Sequence, residues 1–263
     1  MPASALADWF LTNVGGSAVA PKSSSRHHRW LVYALGGGWG HMNRAIALAR
    51  SRPHAVEILV NSPYAAAVKA RLSTSAITLK ILPSHLEVSS IPTYVQDWIA
   101  QQPADCLIVD TFPRGLVGEL VNILPSLTMR RILVHRDLQP HYMAAKGIVG
   151  FVQQHYERVL IPGEPASALA TLPQTSYTVP WLLRDAQELR AANTSLHDRE
   201  QWPTHQPTVI VCATGYPPEL AEFGFLTAAI AEAHPHSTVR CLAHQCPPGC
   251  PPELWIAHWP GLE

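Results

Sequence analysis

A histidine set directly behind a run of glycines, where a helix begins, marks a place where backbone must come close to something; the histidine is a candidate for proton transfer there, or a residue that only packs at the helix start. His41 follows Gly36, Gly37, Gly38 and Gly40 in the stretch "YALGGGWGHMNRAIALAR", residues 33–50. An apolar run precedes the glycines and a helical pattern follows them. A strand, a glycine turn and a helix start leave free N–H groups and a helix dipole aimed at one spot, which suits an anion or a polar ligand. Which ligand remains open. The dinucleotide pattern G-x-G-x-x-G has its first two glycines in Gly36 and Gly38 and an acid at Glu57, but its third position is His41. The phosphate-loop pattern fails, because no Gly-Lys-Ser/Thr follows. Asp110 closes another apolar run, "CLIVD", and either orients His41 or caps the helix that follows. Arg114 is a candidate for an anionic group, or pairs with Glu119. His135, Arg136 and Asp137 stand at a further strand end, as ligand residues or as solvated loop charges. "CLAHQCPPGC" gathers Cys241, His244, Cys246 and Cys250, which are zinc-ligand types without a paired-knuckle spacing, so free thiols are the plainer alternative.

The elements that must position these groups alternate in type. Apolar runs of strand length lie at 30–35, 56–61, 77–82, 106–110, 131–135 and 158–162. Helical patterns lie between several of them, with Met42, Ala45, Ile46 and Ala49 on one face and Leu116, Val117, Leu120 and Val121 on another. Such alternation predicts an α/β fold, a doubly wound parallel sheet with helices on both faces. Residues 184–207 are polar and end among prolines, which predicts a helical or loose linker. The pattern restarts with strands at 208–213, 237–243 and 254–259, and a helix after Pro217 with Leu220, Phe223, Leu226 and Ile230 inward. Three strands and one helix make an incomplete second α/β domain. The expected organisation is a mobile leader over 1–29, a Rossmann-like domain over 30–183, the linker, and a second domain beginning at 208.

Composition narrows the function classes. Of the 263 residues 47% are hydrophobic and 14% charged, yet no apolar run reaches the ~20 residues of a membrane span. Lys plus Arg and Asp plus Glu both number 19, so nothing marks a nucleic-acid partner. Five cysteines, an odd count with two of them in apolar runs, suit reduced thiols and a cytoplasmic location. The leader carries a cleavage-like "SAVA" but no positive start, and Asp8 interrupts its apolar part, which argues against a secretion signal.

"GGGWGH" followed by "MNRAIALA", together with "VDTFPRGLVGEL" (109–120) and "YTVPWLLR" (177–184), resembles two-domain glycosyltransferases of the GT-B type, including the family 28 and UDP-sugar transferase groups. The resemblance implies a first domain that holds the acceptor and a second that holds a nucleotide-sugar donor. By position it makes His41 the general base and Asp110 its orienter, since a neutral imidazole in hydrogen-bond reach helps remove an acceptor hydroxyl proton. It places Gly37, Gly38, Gly40, Arg114, His135 and Arg136 on the acceptor side, and Thr214 and Gly215 at the donor diphosphate. It implies no metal, a small-molecule or lipid-linked acceptor, peripheral membrane contact at most, and a donor domain truncated at "HWPGLE". The alternatives are a non-catalytic ligand-binding remnant of such an enzyme and a nucleotide-sugar epimerase.

Overall fold

Strands buried on both faces must be apolar at consecutive positions, and the first one is: Leu31 to Leu35 are all within 2% of full burial. The protein was described from a computed structural model, which covers residues 29–51, 55–72, 76–136, 138–163, 168–191, 194, 206–213, 215 and 217–257. The expected leader lies outside these apart from Arg29. The chain divides into two compact units, residues 1–183 and 184–263.

The first unit is built on seven strands: β1 Arg29–Ala34, β2 Ala55–Val60, β3 Ile77–Ile81, β4 Cys106–Asp110, β5 Arg130–Val134, β6 Arg158–Pro162 and β7 Thr175–Thr178. Their order is β3-β2-β1-β4-β5-β6-β7, and every pairing is parallel. The chain therefore winds outward one way from β1 and then the other way from β4. Their pairing sets Tyr33 opposite Val109, so the ends of β1 and β4 lie side by side. In open α/β sheets ligands bind at the carboxyl edge of this reversal.

The helices are α1 Trp39–Arg50, α2 Ala65–Arg71, α3 Ile91–Ala100, α4 Leu120–Ile123, α5 Pro140–Ala145 and α6 Ile148–His155. Alternate strand residues Leu31, Tyr33, Leu107, Val109 and Leu133 form one core with Val95, Trp98 and Ile99 of α3 and Ile148 and Val152 of α6. Each such side chain contributes about 1.5–3 kcal/mol by leaving water. α1 packs on β1, β2 and β3 with Met42 and Ala45–Ala49 buried.

One expectation changes here, and the dinucleotide pattern loses its acid as well as its third glycine. Residues 111–119 are a loop rather than a helix, and only Leu120–Ile123 are α-helical. Gly115 and Gly118 have φ of +85° and +91°, outside the helical region, and Leu116 and Val117 are consequently exposed. Glu57 is no ribose acid: it sits near the amino end of β2, away from the glycine loop, and accepts from Trp98 Nε1 and Arg29 NH2, each at 2.7 Å.

The second unit holds β8 Thr208–Cys212, β9 Thr238–Ala243 and β10 Trp255–Ala257 in the parallel order β10-β9-β8, with α7 Pro217–Ala233. Residues 186–191 of the expected linker are helical, started by Asp185, whose Oδ1 accepts from Gln187 N and Glu188 N at 2.8 Å each. The inward face of α7 differs from the expected one. Leu226 is 48% exposed, whereas Gly224 and Thr227 are buried. A side chain on Gly224 would strike the Pro248 carbonyl and the Cys250 amide, so glycine lets α7 close onto that loop. Leu220 and Phe223 pack inward as expected. Among the described residues no helix is long and apolar enough to cross a membrane.

Candidate functional site

β1 ends at Ala34 and α1 begins at Trp39, so the glycine loop spans the gap between them at the carboxyl edge. Gly37 takes φ +76°, a conformation that favours glycine. The Asn61 side chain, just past β2, pins the loop: its Oδ1 accepts from Gly36 N and Gly37 N, each at 2.8 Å. The start of α1 has no side-chain cap, and the space where a Cβ would stand at Gly37, Gly38 or Gly40 is empty out to 4 Å. The loop thus presents bare backbone to an open volume.

His41 lies in the first turn of α1, and Asp110 is the last residue of β4. The structure brings them together, with Nδ1 of His41 2.6 Å from Oδ2 of Asp110. Asp110 is 2% exposed in its side chain and His41 18%. A carboxylate only accepts, so this contact places the neutral ring's proton on Nδ1 and leaves the Nε2 lone pair available. The Nε2 edge lies against Gly36, where any Cβ would overlap the imidazole. Phe112 covers the ring at 5.5 Å between centroids.

Sequence reasoning missed the roles of Arg44, Thr111 and Asn61 and the contact of the ring with Gly36. Arg44 holds Asp110 through Nε to Oδ1 at 2.6 Å and NH2 to Oδ2 at 2.8 Å, a bidentate pairing. Its NH2 also donates to Thr111 Oγ1 at 3.0 Å. The usable signal was spacing, because residues three apart share a helix face. Thr111 has φ +65°, rare for a β-branched residue and costing roughly 1–3 kcal/mol. Its amide donates to Val134 O at 2.8 Å and its hydroxyl to Asp110 Oδ2 at 3.2 Å. Asn61 touches neither member of the pair and holds the glycine loop instead. Gly36 is legible only after the ring position is known. Its replacement by alanine is expected to displace the imidazole and lower any His41-dependent rate by ~10²-fold, the usual cost of ångström-scale misplacement; a changed His41 resonance in NMR would accompany it.

The loop carrying Thr111 is locked from below. Glu119, 4% exposed, binds the Tyr33 hydroxyl in a short hydrogen bond and accepts from Leu116 N at 3.3 Å and Val117 N at 2.9 Å. Tyr156 donates its hydroxyl to Pro113 O at 2.6 Å. Burial, with the Glu119 carboxylate adding to it, pushes the Tyr33 phenol far above its ordinary range, and burial does the same to Tyr156. Both phenols hold their protons in the fold, while unfolded ones ionise near 10.0. Their contribution to stability is therefore complete below pH 10 and is lost as pH rises above it. Denaturation measured across alkaline pH is expected to show a steep fall there, with tyrosinate absorbance appearing together with unfolding.

The other expected residues are dispersed. Arg114 is not paired with Glu119: its NH1 donates to Lys146 O at 2.6 Å and its guanidinium stacks over Phe151. His135 is buried just past β5, and Arg136 is exposed beside it. Thr214 and Asp137 lie outside the described residues. Gly215, with φ +127°, sits between β8 and α7, where a side chain would strike the Glu219 carboxylate. Among the described residues no group of three or more His, Cys, Asp or Glu side chains is arranged to hold a metal ion.

No protein-family model and no curated protein matches this sequence. Among solved structures, the glycotransferase of kitacinnamycin is similar over 89% of this chain and 72% of that one, with TM-score 0.51 and 13% identity. A glycosyltransferase from Rickettsia africae ESF-5 aligns over 82% of this chain and 60% of that one, with TM-score 0.47 and 9% identity. A mutant form of enoyl thioester reductase from Candida tropicalis aligns at TM-score 0.30 and 14% identity. The chain has a glycosyltransferase-like, Rossmann-type α/β fold.

Proposed function

We propose that this protein transfers a sugar from a nucleotide-sugar donor to an acceptor hydroxyl, with His41 as general base and Asp110 as its orienter. The observation that carries this reading is the 2.6 Å His41–Asp110 contact at the carboxyl edge, beside an open glycine loop. The acceptor hydroxyl binds over Gly37, Gly38 and Gly40. Nε2 of His41 takes its proton as the oxygen attacks the anomeric carbon, and the bond to the leaving diphosphate breaks. Asp110 stabilises the imidazolium that results. Arg44 holds that carboxylate in position. His135 and Arg136 belong to the acceptor side, and the donor lies with the second unit near Thr214 and Gly215. Five free cysteines suit a reducing compartment such as the cytoplasm.

A panel of nucleotide sugars offered with alcohols and phenols, followed by nucleoside diphosphate release, tests the proposal. Acceptor-dependent release that His41→Ala abolishes is expected. The second reading is a ligand-binding protein without turnover. Calorimetric binding of an acceptor with no release from any donor would select that reading and overturn the first.

A further inference from the structure

The second unit carries a side-chain cluster that the proposed chemistry does not use. Cys241 of β9 is wholly buried, and Cys250, in the loop after it, is 7% exposed. Cys246, in the same loop, is only half-buried. Cys241 and Cys250 belong to one small core cluster, and Cys246 packs against it. Cys246 Sγ also approaches the Cys250 carbonyl at 3.7 Å. The "CPPGC" turn between Cys246 and Cys250 is stiff: two prolines limit it, Gly249 takes φ +81°, and Cys250 N donates to Pro247 O at 3.0 Å. Gly224 of α7 packs directly on its backbone. Two cysteines are therefore held side by side before any reaction, one of them partly open to solvent.

We propose that Cys246 and Cys250 form an oxidisable dithiol that hydrogen peroxide converts into an intramolecular disulfide. The thiolate of Cys246, the member that solvent reaches, attacks one peroxide oxygen. The O–O bond breaks, Cys246 becomes a sulfenic acid and hydroxide leaves, taking up a proton to become water. The Cys250 sulfur then attacks the Cys246 sulfur; the S–S bond forms, the S–OH bond breaks, and the hydroxyl leaves with the Cys250 proton as a second water. Two thiols are oxidised by two electrons, and one peroxide is reduced to two waters. Burial and the neighbouring Cys241 and Cys246 push the Cys250 thiol up to about 12. Cys250 accordingly stays protonated at neutral pH and acts second. Cys241 lies beneath the pair, with no exposed surface. The inference is independent of the sugar-transfer reading.

Peroxide treatment of the intact protein, followed by alkylation of remaining thiols and non-reducing peptide mapping, tests it. Two of the five free thiols are expected to become unreactive, with a Cys246–Cys250 cross-link that dithiothreitol reverses. Cys246→Ser and Cys250→Ser should abolish the cross-link, and Cys241→Ser and Cys212→Ser should keep it. The wild-type map is decisive by itself if a variant fails to fold. Five alkylated thiols after treatment, a cross-link on another pair, irreversible over-oxidation of Cys246 without a cross-link, or zinc bound stoichiometrically to the purified protein would each overturn the proposal.

Discussion

Replacing His41 with alanine is expected to lower sugar transfer by ~10²–10⁴-fold, the range that a positioned general base supplies. Stability should fall by much less than the rate. The His41 side chain is 18% exposed and stacks on Phe112, so some packing is lost. Asp110 loses one hydrogen bond but keeps two from Arg44 and one from Thr111, so its buried charge stays compensated. A residue that merely packed at a helix start would show the opposite pattern, a small effect on rate and a measurable one on folding. Comparison of kcat/KM with the thermal midpoint in the same preparation separates the two. Arg44→Met should act differently from His41→Ala, since removing one partner of a buried pair strands the other, at roughly 3–5 kcal/mol.

Glu119→Ala should lower stability by roughly 3–5 kcal/mol, as much as Arg44→Met. The carboxylate satisfies the Tyr33 hydroxyl and the Leu116 and Val117 amides. Its removal leaves the Tyr33 hydroxyl and the Val117 amide without an acceptor, while Leu116 N keeps the Tyr33 oxygen at 2.8 Å, and opens a void under Gly115, whose missing Cβ makes room for the carboxylate. In a unit of this size that loss lowers the thermal midpoint by roughly 6–20 °C. The 111–119 loop should loosen as well, and with it the position of Thr111 and Asp110. Glu119→Gln keeps the shape and an acceptor oxygen, and should recover most of the stability. A melt of Glu119→Ala within a degree or two of the parent would mean that the loop is held by other contacts.

The strands were plain in the sequence because a parallel sheet covered on both faces needs uninterrupted apolar runs, and "CLIVD" and "RVLIP" match β4 and β6 residue for residue. β7 was hidden: "TSYT" is polar and partly exposed at the sheet edge. The 111–119 segment misled for a different reason. Leu116, Val117, Leu120 and Val121 have helical spacing, but two glycines at positive φ and a buried glutamate decide the local path. In α7 the apolar residues surround the helix, so periodicity could not show that Gly224 would mark the contact face. His41 and Asp110 could be named from their places at a helix start and a strand end. Arg44 shares a helix face with His41 and could have been added from spacing alone; Thr111 and Asn61 could not, because their roles depend on which strand ends the topology sets side by side.

The imidazole tautomer tests the central claim most directly. Two-bond nitrogen–proton correlation spectra of the labelled protein, with His41→Ala used to assign the ring, report which nitrogen of neutral His41 carries hydrogen. The expected result is a proton on Nδ1, held by Asp110, with Nε2 bare and ready to accept. A proton on Nε2 would contradict it, because a ring that already donates there cannot take a hydroxyl's proton.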